Sequence, residues 1–308
     1  MRHSCAPTPA VPANMSGATE PRRACRVTRS RVGARLETDP ASAQVEDALA
    51  VALAEFGRFP GASVRNDGDL VRIASGYPFF SFNHIVRSRL RGPTAERRIG
   101  GIVEGFGSAG LTWWVTPSTR PGDLARRLSI GGLREVEPEI GMILELPSGP
   151  SALPPAVREG LARAEAPPGG VDVVASPAQL AEWIDVMASS YAWPNLDKRD
   201  ALIQLYGLPT GFADGKSTHF IVRSEGRPVA CASLFTSGRC AWVTNVGAVP
   251  AQRGRGFGSA ATALAVRAAA SSGHPAATLA ASLMGRRMYQ RLGFREAGVL
   301  RRLILPDR

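Results

Sequence analysis

At 308 residues, 44 % apolar and with a formal charge of +11, the chain has room for two domains, each with its own core. No run approaches the ~20 apolar residues of a membrane span, and four cysteines without a CxxC pair, beside four scattered histidines, argue against a disulfide framework or a metal site. The charge does not single out nucleic acid as a partner: only Lys198 and Lys216 are lysines, and beyond seven arginines in the first forty residues the rest are dispersed.

Residues 1–43 carry Ala, Pro, Ser and Arg without hydrophobic period or an apolar signal core, and read as the disordered basic tail of a cytoplasmic protein. A first domain over 44–146 opens with Val45, Leu49, Val51, Ala52 and Phe56, whose spacing predicts a helix from Gln44 to Phe56. Strands are predicted at Leu70–Ala74, Phe82–Leu90, Ile99–Gly105 and Leu111–Thr116. A helix from Pro121 through Leu128, closed by Gly132, and a strand at Glu139–Leu146 follow. Six prolines and four glycines make Pro147–Gly170 the boundary segment, with a short helix at Pro155–Ala164.

The second domain, 171–308, begins with Ser176-Pro177 capping a helix to Ser190 that carries Leu180, Trp183, Ile184 and Met187 on one face. Arg199–Tyr206 suggests another helix. Phe220–Arg223, Pro228–Leu234 and Cys240–Val249 read as antiparallel strands. The last hairpin is expected to turn at Ser237-Gly238, setting Cys240 opposite Phe235 rather than Cys231. A helix at Gly256–Ser271, a strand at Ala276–Ser282, a helix at Gly285–Leu292 and a strand at Phe294–Leu305 complete an α+β domain.

The strongest motif is the run Ala248–Ala260, which leads from a β-branched strand through Arg253-Gly254-Arg255-Gly256-Phe257-Gly258-Ser259 into an alanine-rich helix. A pyrophosphate needs convergent backbone N–H groups, and glycines let the main chain approach it without Cβ clashes. The helix start adds the positive end of a dipole. The bland alternative is a tight turn that packs a helix on a sheet. Gly215-Lys216-Ser217-Thr218 fails as a Walker loop, because Thr210 stands where its first glycine belongs. Trp113-Trp114 reads as a strand anchor.

Asn245–Ala260 resembles the acetyl-CoA signature of the GNAT superfamily of N-acetyltransferases. Ala280–Glu296, a strand and then a Tyr-bearing helix ending in Leu292-Gly293-Phe294, resembles that superfamily's later motif. The resemblance covers roughly Val171 to Leu305. It implies a GNAT-like mixed, mostly antiparallel sheet flanked by helices, acetyl-CoA as acyl donor, and a small-molecule or peptide amine as acceptor. By position it implies that Val246, Gly247 and Ala248 hold the pantetheine arm through backbone groups, with the Val246 N–H as oxyanion donor. Arg253, Gly254, Arg255, Gly256, Phe257, Gly258 and Ser259 would cradle the pyrophosphate, Ser282 would bond the pantetheine, and Tyr289 would protonate the departing thiolate.

Some members place a Glu four residues before the oxyanion residue. Here that position is Trp242, which leaves the base open among ordered water, Asp197, Asp200 and His219. The first domain reads as a degenerate copy: Thr112–Thr116, the helix through Leu128, Gly132-Leu133-Arg134-Glu135 and the strand to Leu146 parallel the region from Leu279 to the C-terminal strand. It has no glycine-rich loop and no Tyr in its helix, so its expected work is to wall the acceptor cleft or to mediate a homodimer. The reading is therefore two tandem GNAT-like domains, the second a cytoplasmic N-acetyltransferase. The alternative is a non-catalytic acyl-CoA sensor, in which Tyr289 is a core aromatic.

Overall fold

The computed structural model describes residues 39–147, 152–166, 169–192, 196–206 and 216–307. Local signals start the first helix: Asp39 accepts a hydrogen bond from the Ser42 N–H and Pro40 fills the first helical position, giving α1 (Pro40–Ala54). There follow β1 (Ser63–Asn66), β2 (Val71–Ala74), β3 (His84–Val86), α2 (Ala95–Phe106), β4 (Leu111–Val115), α3 (Leu124–Ile130) and β5 (Arg134–Glu145). After α4 (Pro155–Glu165) and β6 (Gly169–Val173) come α5 (Pro177–Ser190), α6 (Leu196–Tyr206), β7 (Ser217–Ser224), β8 (Arg227–Ser237) and β9 (Cys240–Ala248). The chain closes with α7 (Phe257–Ser271), β10 (Ala276–Ala281), α8 (Leu283–Arg291) and β11 (Arg295–Leu305). Both halves thus contain the same series: three strands, a helix, a strand, a helix and a long closing strand.

Among the described residues the strands form one sheet in the order β1-β2-β3-β4-β11-β5-β10-β9-β8-β7-β6. The β3–β4 and β9–β10 neighbours are parallel and the other pairs antiparallel. The closing strands are exchanged between the halves. β11 lies between β4 and β5, and β5 lies between β11 and β10. At this seam Gly141 stands opposite Gly298. A Cβ on Gly141 would come within 2.8 Å of Val45 Cγ1, and one on Gly298 within 2.7 Å of Ser42 Oγ. The two glycines let α1 lie directly on the exchanged strands.

One core spans both halves beneath α1, α5 and α6, with Val45, Leu49, Trp183, Ile184 and Leu202 buried in it. On the opposite sheet face, α2 and α3 cover the first half with Ile99, Ile102, Leu124 and Leu128. There α4 and α7 cover the second half with Val157, Leu161, Leu264 and Val266. The fold is α+β, a mostly antiparallel mixed sheet flanked by helices. Among the described residues no helix is long and apolar enough to cross a membrane.

Several elements differ from the sequence-based expectation. The predicted strand at Ile99–Gly105 is the helix α2, because Ala95, Ile99 and Ile102 recur at helical spacing and are the residues it buries. Of Phe82–Leu90 only His84–Val86 is a strand, and Arg87 turns out of it with φ of +55°. β1 was not foreseen, since all four of its residues are exposed and show no alternation. The hairpin between β8 and β9 sets Cys240 opposite Ser237 and Phe235 opposite Trp242, a tighter turn than expected. Residues 1–38 of the expected tail lie outside the described residues, while its last residues open α1. The expected boundary segment holds α4 and the start of β6, and Val157, Leu161 and Ala164 are buried there.

Candidate active site

The central feature is where β9 and β10 part. They share one register pair, Trp242 with Thr278, reinforced by the Thr278 hydroxyl donating to the Ala241 carbonyl at 2.7 Å. Beyond it β9 runs on along β8 to Ala248, while β10 continues along β5 to Ala281. Two parallel strands that separate leave a wedge between backbones, and backbone polar groups there must find partners other than each other. β9 is also irregular at this point. Its ladder with β8 shifts between Cys231 and Ser233, and Asn245 takes φ of +52° just before Val246.

The end of α5 closes over the same strand. Tyr191 donates its hydroxyl to the Val246 carbonyl at 3.2 Å. A Cβ on Gly247 would lie 2.6 Å from Ser190 Cβ, so Gly247 is required for α5 to approach β9, besides any backbone role. Ala248 pairs with Ala230. Arg253 donates to the Ser190 carbonyl at 2.7 Å and, more weakly, to that of Ala248 at 3.4 Å. Its guanidinium ties the loop to α5 instead of standing free.

The glycine-rich loop enters α7 with Gly254 at φ of +76° and Gly256 at +85°, the latter being the N-cap residue. No side chain caps this helix start and its first turn carries no acid, so the N–H groups of Phe257, Gly258 and Ser259 stand at the positive end of the dipole. Arg255 donates to Gln252 Oε1 and lies 5.6 Å from the centre of the Phe257 ring. Sequence reasoning missed Arg163. From the last turn of α4 its Nε lies 2.8 Å from where a Cβ on Gly256 would be. A guanidinium therefore stands over the helix start, and a glycine makes the space for it. An uncapped helix start with a guanidinium beside it suits an anion such as a pyrophosphate in charge.

On the other side of the wedge Ser282 caps α8, accepting from the Gly285 N–H at 3.1 Å. Its own hydroxyl proton remains to be offered. Tyr289 is 8 % exposed, its ring edge-on to Phe294 at 6.0 Å. Burial pushes its phenol above the ordinary range, and the carboxyl of Glu139 adds to the shift. Burial pushes the Cys231 thiol up to about 12, which keeps it from acting as a thiolate.

Glu139 is the second residue missed. It sits on β5, the strand that the first half lends to the second, one position beyond the Ile140–Ala281 pair that ends the ladder with β10. Its carboxylate is 3.1 Å from Arg302 Nη2. Burial raises its pKa, Arg302 opposes the rise and Glu137 adds to it. No local motif marks Glu139. Only strand exchange brings it near Tyr191 and Tyr289.

The other candidates for a base are placed less favourably. His219 is 1 % exposed, bonded through Nδ1 to Ser233 Oγ at 2.8 Å, and boxed between the Trp183 and Tyr206 rings at 4.5 Å each. Burial brings its pKa down to about 3. Asp200 is exposed beside Arg199, and the side chain of Asp197 lies outside the described residues. Trp242 is buried in the shared core. Trp113 is buried in the first half and donates to Ser88 Oγ at 2.9 Å, while Trp114 supports Arg302, 5.7 Å from its ring centre. Gly215 and Thr210 lie outside the described residues, and Ser217 and Thr218 are strand residues of β7. Among the described residues no three His, Cys, Asp or Glu side chains are grouped to hold a metal.

A parted parallel strand pair, a glycine-lined helix start and a buried tyrosine stand together on the second half of the sheet. Residues 180–294 match the model of the acetyltransferase (GNAT) family, and the chain carries an acetyltransferase domain of that family there, with acetyl-CoA as the family's acyl donor. Among solved structures the fold is similar to a GCN5-related N-acetyltransferase from Kribbella flavida, at 19 % identity and a TM-score of 0.63, covering 85 % of this chain and 95 % of that one. It is also similar to a tandem GNAT protein from the clavulanic acid biosynthesis pathway, at 14 % identity and a TM-score of 0.53, covering 88 % and 96 %. A third is a GCN5-related N-acetyltransferase from Sphaerobacter thermophilus, at 14 % identity and 0.51, covering 86 % and 92 %. At these identities the likeness is one of fold. No curated protein matches the sequence.

Proposed function

We propose that the chain transfers the acetyl group of acetyl-CoA directly to an amine in a ternary complex, in the cytoplasm where this donor is made. The observation that carries the reading is the wedge between β9 and β10, which opens beside the uncapped start of α7. Bound acetyl-CoA supplies an activated acyl carbon whose leaving group is a thiolate. The backbone of Val246, Gly247 and Ala248 would hold its arm as an added strand, with the Val246 N–H toward the thioester carbonyl oxygen. The loop from Arg253 to Ser259, with Arg163, would hold the phosphates, and Ser282 would bond the arm.

An alkyl ammonium with a pKa near 10.4 must lose a proton before it can attack. Glu139 is suited to receive that proton, being a partly buried carboxylate whose pKa is raised yet which Arg302 still favours in the charged form. As the N–C bond forms and the C–S bond breaks, a second proton leaves nitrogen and one reaches sulfur. The Tyr289 hydroxyl is held protonated by burial, as a donor must be. Full transfer to a thiolate of conjugate pKa about 8.5 is uphill for such a phenol. Its contribution is therefore a strong hydrogen bond to the developing charge, and the proton that sulfur takes is the one nitrogen releases. A sensor that only binds the donor has no use for Tyr289 and Glu139 beside the wedge.

The test is calorimetry of the whole chain with acetyl-CoA, followed by thiol release on adding primary amines. The expected result is one site per chain and amine-dependent release. Binding without release for any amine would leave the sensor reading in its place.

A further inference from the structure

A cavity of about 370 Å³ opens between the two halves, on the sheet face covered by α1, α5 and α6. The first half contributes Leu53, Phe56 and Phe82 to its wall, and the second contributes Tyr206, Phe235 and Trp242. Its edge on β9 is Thr244-Asn245, the two residues immediately before Val246, so the cavity ends at the mouth of the wedge. The volume is that of a small-molecule site. The wall is mostly aromatic, with the Phe56 and Phe82 rings stacked at 4.9 Å.

The charges of this chamber are as informative as its shape. The one ionised side chain among its lining residues is Arg302, whose guanidinium is joined to Glu139 and lies over Trp114. No carboxylate lines the wall to receive a second ammonium. A polyamine would bury a cation against a cation and leave it unpaired. An amino sugar would exchange hydrated hydroxyls for phenyl edges, with Ser81, Thr244, Asn245 and the Tyr206 hydroxyl as the few polar groups at hand. A ring-sized apolar body gains about 25 cal/mol for each Å² it buries there. Its single amine would be converted at the wedge, where Glu139 stands behind Arg302.

Resting on the acetyltransferase reading above, we propose that this cavity is the acceptor subsite. We infer that the acceptor is a primary amine on an apolar body of aromatic-ring size, such as an arylalkylamine, without a second cationic group. The first half is then half of the acceptor site.

The test compares kcat/KM for 2-phenylethylamine, spermidine and glucosamine at saturating acetyl-CoA, alongside acetyl-CoA calorimetry. The expected result is at least a 100-fold preference for 2-phenylethylamine. Leu53→Trp, which pushes a ring into the cavity from α1, should raise KM for 2-phenylethylamine by tenfold or more with the Kd for acetyl-CoA unchanged. Calorimetry of 2-phenylethylamine with the CoA-loaded wild-type chain gives a reading that does not depend on the folding of that variant. Preference for spermidine or glucosamine overturns the inference and leaves the acetyltransferase reading standing. So does acetyl-CoA binding without any binding of 2-phenylethylamine, or an unchanged KM in a folded Leu53→Trp chain. Failure to bind acetyl-CoA at all would instead overturn the reading on which the inference rests.

Discussion

The two halves fold through the same series of elements and differ at three places: the parallel strand pair, the helix start after it and the helix that carries Tyr289. Both have a parallel strand pair, but β3 and β4 stay paired through His84–Thr112 and Ile85–Trp113, whereas β9 and β10 share a single pair and part. The space between the first pair is filled, with Trp114 Nε1 donating to His84 Nδ1 at 3.4 Å. Helix α7 starts at Gly256 with no acid nearby, while α2 starts after Thr94 with Glu96 in its first turn, ion-paired to Arg127. A carboxylate at that point neutralises the site an anion would use. Counting from the paired arginines, Arg126-Arg127-Leu128-Ser129 puts a serine where Arg286-Arg287-Met288-Tyr289 puts the tyrosine. The lesson is that one scaffold can keep its strand order and its turns, Gly132 at φ of +94° and Gly293 at +98°, while losing the site. Under the proposed function, what the first half keeps is a share in the other half's site, through Glu139 and the cavity wall.

The largest effect should come from breaking the cradle that the first half lacks. Gly256→Asp forces a side chain into the left-handed region, toward Arg163, and sets a carboxylate against phosphates. Acetyl-CoA binding by calorimetry should disappear in a chain that still melts cooperatively. A residual second site of comparable affinity would mean that the first half is not silent.

Next in size is Tyr289→Phe, which keeps the ring and removes the hydroxyl. Turnover should fall by roughly 10²-fold, in kcat and kcat/KM alike, with acetyl-CoA affinity preserved. An unchanged single-turnover rate would reduce Tyr289 to packing.

Glu139→Gln sharpens the comparison from the other side, because it alters a residue of the first half. It should lower kcat/KM near neutral pH by about 10²-fold at most, with acetyl-CoA affinity retained. In the wild type, activity should be lost as pH falls through a pKa above the ordinary carboxylate range, where Glu139 takes up its proton. Tyr289, whose phenol burial raises, stays neutral across that range. The variant should lack this acid limb, and its retention would remove Glu139 from proton transfer.

Smaller effects concern stability. His84 and His219 each have a pKa lowered to about 3, in both cases by burial first. The unfolded chain protonates them near 6.5 while the folded chain resists, so their contribution is present above pH 6.5 and is lost as pH falls toward 3. Melting temperature should drop over that window, and His219→Gln should flatten the slope. Smallest of all, a chain beginning at Asp39 should melt as the full chain does. One beginning at Gln44 loses the Asp39 cap and the Ser42 hydroxyl's bond to the Ala297 carbonyl, and should be destabilised by about 1–2 kcal/mol.

The second half was legible because its signals are local. Gly254, Gly256 and the alanine-rich helix after them sit within a few residues of one another, and so do Ser282, Tyr289 and Gly293. The helix caps at Ser176 and Pro177 were equally plain. The first half was harder. Exposed β1 carries no alternation, and the glycines of α2 hid a helical stripe made of only Ala95, Ile99 and Ile102. The series of elements could be read from the paired motifs, but the exchange of closing strands could not, since β5 and β11 are strands of similar length and mixed character whose spacing does not say which neighbour each pairs with.

The sequence by itself carried the family resemblance, the glycine-rich loop, the Tyr-bearing helix and the repeated series of elements, because each is written in spacing over one or two turns of chain. Tertiary structure alone decided which side chains complete the site. Arg163 reaches Gly256 from a helix more than ninety positions earlier, Glu139 reaches Arg302 across a seam between halves, and Phe56 and Trp242 line one cavity. The physical reason is that strand pairing and core packing act on distance in space. A carboxylate or a ring brought in by a neighbouring strand leaves no periodicity beside the residues it serves.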